Sequence, residues 1–169
     1  GYGVVLAPFT NTGAANQNLG GRWGGSYNGI LFSNNITGTA TLGAFTLPDH
    51  QPSTGVQTFN GGSFSYRPSG TTLQAGCTVA VAWSDGKPLS TIGPLQNRAD
   101  LGFYPTSSDV NPGYWNSATD GAKIMANALL YTIRPKVLIC AAAALTNSIQ
   151  DPRFTDPRNK LFGTGYFSA

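Results

Sequence analysis

The chain has 169 residues, of which 10 are basic and 7 acidic, so it carries a net charge of +3 with only 10% of its residues charged. That length suits one domain with a core of ordinary size, and 19 aromatic residues give it too much to bury for a disordered chain. The basic residues gather nowhere, which excludes a nucleic-acid footprint, and no apolar run reaches the ~20 residues of a transmembrane helix.

With 22 Gly and 11 Pro, the surface is expected to be neutral polar loop. Such surfaces are common in secreted bacterial proteins, so an extracellular or cell-surface location is expected. The chain begins at Gly1 and shows no signal peptide, as a processed, truncated or partial chain would.

Gly3 to Phe9 is a short apolar run ended by Pro8 and reads as a strand. The loop that follows contains "LGGRWGGSYNG", in which glycines surround Arg22, Trp23 and Tyr27. It lacks the lysine of a phosphate-binding loop and the spacing of a dinucleotide fingerprint, so it is read as structural. Residues 36–47 alternate loosely, as an edge strand or irregular extended segment does. Asn35-Ile36-Thr37 there is a glycosylation sequon of a kind that arises often by chance. Val56, Phe59, Phe64 and Tyr66 are expected to face inward around Gly61-Gly62.

Residues 77–83 are a strand by their β-branched alternation, and residues 84–87 turn it into residues 88–92 as a hairpin. Residues 98–103 form the next strand, where Arg98 and Asp100 alternate with Ala99 and Leu101 and are expected on a solvated face. A 13-residue loop runs from Tyr104 to Asn116 and carries Asp109, Tyr114 and Trp115. A helix then begins with Ser117 or Thr119 as its cap and Asp120 in its first turn. Ile124, Met125, Ala128, Leu129 and Tyr131 make its apolar face. Pro135 stops it. Lys136, Val137, Leu138, Ile139 and Cys140 then read as a buried strand, and residues 156–163 as a short helix. The order hairpin, strand, loop, helix, strand predicts an α/β sheet with an antiparallel portion.

The strings "DHQPSTGVQTF", "WSDGKPL", "NRADLGFYP" and "DGAKIMANALLY" together resemble the class I glutamine amidotransferase-like fold, especially its trehalose-utilisation (ThuA-like) relatives. Those proteins show a His-Pro-x-x-x-Gly-Val segment, a Trp-x-Asp-Gly-x-Pro-Leu hairpin and a terminal strand-loop-helix. Asp49 to Val56 matches the first with one residue between His50 and Pro52, Trp83 to Leu89 the second, and Arg98 to Tyr131 the third. The tail "PKVLICAAA…DPRNKLFGTGYFS" is similar to the first strand and helix of the same fold. The resemblance therefore implies a flavodoxin-like three-layer sandwich, with a mostly parallel sheet and an antiparallel hairpin portion. Residues 1–131 would be its later half, and residues 132–169 its first strand and helix, completing this domain or a neighbouring copy.

Such amidotransferases use a Cys nucleophile on a strand-to-helix turn, assisted by His and Glu. Cys77 begins a strand in "AGCTVAV", Cys140 lies inside one, and neither sits in a G-x-C-x-G elbow. Both read as buried hydrophobes, with a disulfide as the alternative. His50 falls in a scaffold motif, and Asp85 is a turn residue. One His and no CxxC argue against zinc. No catalytic residue, metal or cofactor is therefore assigned.

The leading expectation is a non-catalytic structural or assembly module, a filament or repeat subunit. Its partners are copies of itself or neighbouring repeats, joined through the strand at Lys136, Val137, Leu138, Ile139 and Cys140. A hydrolase or amidotransferase-like enzyme is one alternative. The other is a carbohydrate-binding module taking a glycan at Trp23, Tyr27, Asp109, Tyr114 and Trp115, because long loops after strands carry ligands.

Overall fold

The computed structural model describes residues 3–10, 19, 29–31, 34–94 and 97–133, all within the unit Gly1–Arg134. The expected strand at Lys136 to Cys140, the helix at residues 156–163, and Trp23 and Tyr27 lie outside the described residues.

The elements are β1 (Val4–Leu6), β2 (Asn35–Ile36), β3 (Leu42–Phe45), a 3₁₀ turn at Gln51–Ser53, β4 (Arg67–Pro68), β5 (Thr78–Trp83), β6 (Pro88–Ile92), β7 (Arg98–Leu101) and α1 (Gly121–Thr132). Five strands form one sheet in the order β1-β7-β6-β5-β3, and β2 pairs with β4 in a second. The protein is thus α/β with a mixed sheet. Among the described residues β1 and β7 pair in parallel, whereas β7–β6, β6–β5 and β5–β3 pair antiparallel. Short connections explain the β5–β6 and β6–β7 pairs, because a chain that turns within a few residues returns only antiparallel. β3 reaches β5 through a long connection that holds the 3₁₀ turn and β4. The β5–β6 turn closes with Gly86 N–H donating to the Trp83 carbonyl at 2.8 Å and Trp83 N–H to the Lys87 carbonyl at 2.8 Å. β3 is the expected edge strand, and its register shifts between Leu42 and Phe45.

The core lies between α1 and the sheet. Ile124, Ala128 and Tyr131 are buried and pack with Ala99, Leu101 and Ile92. Their i, i+4, i+7 spacing keeps them on one stripe. Leu129, expected on that face, is 54% exposed, since five residues on from Ile124 carries it about 140° round the helix. Phe64, expected inward, is also exposed, while Val56 and Phe59 are buried.

Arg98 and Asp100 correct a second expectation. They do alternate with Ala99 and Leu101, but their face is covered. The side chains are 13% and 8% exposed and form an ion pair at 3.6 Å. The backbone N–H groups of Gly29 and Ile30 donate to the Asp100 carboxylate. Gly29 lies so close that a Cβ there would collide with Asp100 Oδ2. Only glycine lets the backbone approach that far.

The start of α1 also differs from the expectation. Thr119 Oγ1 donates to the Asn116 carbonyl and Ser117 Oγ to Asp109 Oδ1, so Asp120 occupies the cap position. Its carboxylate turns away from the helix. Oδ2 accepts the Gln57 and Thr58 backbone N–H groups at 2.8 and 2.9 Å, and Oδ1 accepts Lys123 Nζ at 2.7 Å. A charged acceptor satisfies two loop donors here that the helix could not. The Lys123 bond first, and then the two N–H groups, hold the carboxyl down to about 2. An acid with a folded pKa below its unfolded value stabilises the fold above the unfolded pKa and loses that contribution as pH falls through the folded one. Asp120→Asn is therefore expected to lower stability in urea at pH 7 by about 1 kcal/mol. Its deficit from wild type should close as pH falls from 3.8 to about 2.

Candidate functional site

β1 and β7 run parallel, and β5 shares their direction because both β5 and β7 pair antiparallel with β6. Their carboxyl ends therefore emerge together. Aromatic residues follow each of them: Phe9 after β1, Phe103 and Tyr104 after β7, and Trp83 as the last residue of β5. Open α/β sheets gather ligands at this end.

The aromatics form two tiers. Phe59, Trp83, Phe103 and Trp115 are buried, with Phe59 centred 5.1 Å from Trp83, 4.9 Å from Phe103 and 6.2 Å from Trp115. Both indole N–H groups are used internally, Trp83 Nε1 on the Gly102 carbonyl at 2.9 Å and Trp115 Nε1 on the Pro105 carbonyl at 3.0 Å. Buried aromatics with satisfied polar atoms make a rigid floor.

Above them lies a rim of half-buried and exposed rings. Phe9 sits 5.3 Å from Tyr66 and 5.8 Å from Tyr104; Tyr66 is 6.2 Å from Tyr104, Tyr104 5.4 Å from Tyr114, and Tyr114 6.2 Å from Phe64. Two backbone features set the rim. Phe9 is a non-glycine residue at φ +80°, an uncommon conformation for a bulky side chain. Gly62, at φ +69°, abuts the Tyr114 carbonyl where no Cβ fits. Phe64 N–H donates to the Gly113 carbonyl at 2.7 Å and Asn116 N–H to the Asn60 carbonyl at 2.8 Å. These bonds join the two loops that carry Phe64 and Tyr114.

Between the tiers opens a cleft of about 170 Å³, counted with its open mouth, lined by Gly61, Ser65 and Thr106 and by all these rings except Phe9 and Phe59. Among the described residues, no charged side chain lines it. Among the described residues no protein hydrogen bond engages the hydroxyls of Tyr66, Tyr104 or Tyr114. Comparison with known proteins returns no match: no family model fits the chain, and no curated protein aligns with it significantly.

Tyr114 thus stands in the rim, and Trp115 beneath it, buried, in the floor. Asp109 is exposed on the loop and holds that loop's own hydroxyls, accepting from Ser107 Oγ at 2.9 Å and Ser117 Oγ at 2.8 Å. Trp23 and Tyr27 lie outside the described residues. Phe9, Phe64, Tyr66 and Tyr104 escaped the sequence reading. Aromatics directly after two strand ends, in "APF" and "GFYP", were the available signal.

Among the described residues, the Cys, His and Asp side chains lie outside the cleft lining. Cys77 is a free, half-buried thiol whose Sγ faces Arg98 Nη2 at 3.7 Å. Burial pushes its pKa up, Arg98 lowers it and Asp100 raises it further, so it is not an activated nucleophile. Burial likewise pushes the Asp100 carboxyl up, against Arg98 and the Gly29 and Ile30 N–H groups. His50 packs 6.1 Å from the Tyr131 ring. Asp85 accepts from Arg67 Nε at 2.8 Å and from Lys87 N–H at 3.2 Å. Among the described residues, no three His, Cys, Asp or Glu converge to hold a metal ion. Arg98→Leu leaves Asp100 buried without its countercharge and should cost about 3–5 kcal/mol in urea unfolding at pH 7. The double variant Arg98→Leu/Asp100→Leu should recover most of that loss.

Proposed function

We propose that this chain is a non-catalytic module of a secreted or cell-surface bacterial protein, and that its aromatic cleft binds a carbohydrate. The observation that carries this reading is the rim of Phe9, Phe64, Tyr66, Tyr104 and Tyr114, uncharged and set on a packed floor at the carboxyl ends of β1, β5 and β7. The apolar face of a sugar ring stacks on such rings, and its hydroxyls find partners in the tyrosine hydroxyls. A non-catalytic role is supported by Asp85, Asp100, Asp109 and Asp120, each engaged in a structural contact, and by the raised thiol pKa of Cys77. The chain also contains no glutamate, so it cannot by itself supply the Cys-His-Glu set that its resemblance implies for an amidotransferase. That resemblance is the ground for taking the described sheet and helix as part of a flavodoxin-like three-layer sandwich.

Assembly of copies or neighbouring repeats is the second reading, favoured by β1. Its residues, Val4, Val5 and Leu6, carry no charge, proline or bulge, and among the described residues it pairs on one side only. Unguarded apolar edges are templates for strand addition. No helix among the described residues is long and apolar enough to cross a membrane.

Screening on neutral and charged glycans separates the readings. Retention on a neutral glycan is expected, weakened about tenfold or more by Tyr104→Ala or Tyr114→Ala while the melting temperature shows the fold intact. Absence of binding to every glycan overturns the carbohydrate reading. Light scattering after size exclusion tests assembly: a concentration-dependent rise in mass, abolished by Val5→Lys, is expected of strand addition, and a monodisperse monomer excludes it.

A further inference from the structure

Resting on the carbohydrate reading, we infer that the cleft takes an extended neutral glycan chain lengthwise, along the ribbon Phe9–Tyr66–Tyr104–Tyr114–Phe64, and not a single sugar ring held in a pocket. Room is the first argument. The cleft's enclosed part has room for little more than a water molecule, far short of the ~300 Å³ at which enclosed small-molecule pockets begin. A ligand therefore lies across the rings.

The second argument is continuity. Each ring of the ribbon contacts the next, with centroids 5.3, 6.2, 5.4 and 6.2 Å apart, a spacing of the order of one sugar ring. Neighbours are inclined to one another by between 56° and 73°. Faces and edges thus alternate along the ribbon, as the faces of successive residues do along a twisted glycan chain.

Charge selects the ligand class. Among the described residues, Arg67 lies over Trp83, a lining residue, at 5.7 Å and is paired with Asp85 at 2.8 Å. Among the described residues, no cationic side chain in the lining attracts a phosphate, sulfate or uronate group. The Tyr66, Tyr104 and Tyr114 hydroxyls supply donors and acceptors suited to neutral hydroxyls.

Phe9 flanks the ribbon, against both Tyr66 and Tyr104. Its left-handed backbone at φ +80° costs of order 1–3 kcal/mol, and a glycine would adopt it freely. A bulky ring held at that cost, half-buried and against Tyr66 and Tyr104, is explained by a contact it makes with something else.

The test is titration calorimetry of the full chain with neutral glucose, mannose and N-acetylglucosamine oligomers, from monosaccharide to hexamer. Affinity for one series should rise by about tenfold or more with length and level off once the ribbon is spanned. Phe9→Gly and Phe64→Ala, each checked by thermal melting, should weaken the hexamer roughly two- to tenfold and the disaccharide by less. Length-independent affinity overturns the lengthwise chain and leaves the carbohydrate reading standing. Absence of binding to all three series, or binding only to a proline-rich peptide, the other ligand that aromatic grooves take, overturns both.

Discussion

The Trp83 indole is the contact on which the upper end of this protein depends. It is 1% exposed at the last position of β5, and its N–H reaches across β6 to the Gly102 carbonyl just past β7. That bond fixes where the chain leaves β7 and therefore where Phe103 and Tyr104 point. Its ring packs against Phe59, and the Arg67 guanidinium lies over it. A buried indole without its acceptor costs more than the bond itself contributes, so the strand ends and the aromatic floor are a single packed unit.

A rim built on such a floor would lose little entropy on taking the proposed ligand, because its rings are already held in place. Tyr and Phe present large areas with few rotatable bonds. The loops that carry them are tied by backbone bonds, among them Phe64 to Gly113 and Asn116 to Asn60. Precision at the rim thus comes from the loops' own interlock, and the short strands beneath provide direction.

Much of the secondary structure was legible in the sequence. The hairpin of β5 and β6 followed from β-branched alternation around Ser84-Asp85-Gly86-Lys87, and α1 from the spacing of Ile124, Ala128 and Tyr131. Arg98 and Asp100 were misjudged because alternation reports which face a residue occupies, not what covers that face. The cover is Gly29 and Ile30, nearly 70 residues earlier in the chain. Leu129 was misjudged by one position of helix phase.

Composition and period alone determined that this chain builds an α/β sheet with a hairpin and an amphipathic helix, since those patterns are local and repeat along the chain. The sequence also located the loop that bears Tyr114. Only the tertiary structure decided that Phe9, Tyr66 and Tyr104 join it, that Trp115 lies beneath it, and that the charged pair on β7 is buried. Each of those outcomes depends on segments distant in sequence meeting at one end of the sheet, and such meetings are set by strand order and direction, which no local pattern encodes.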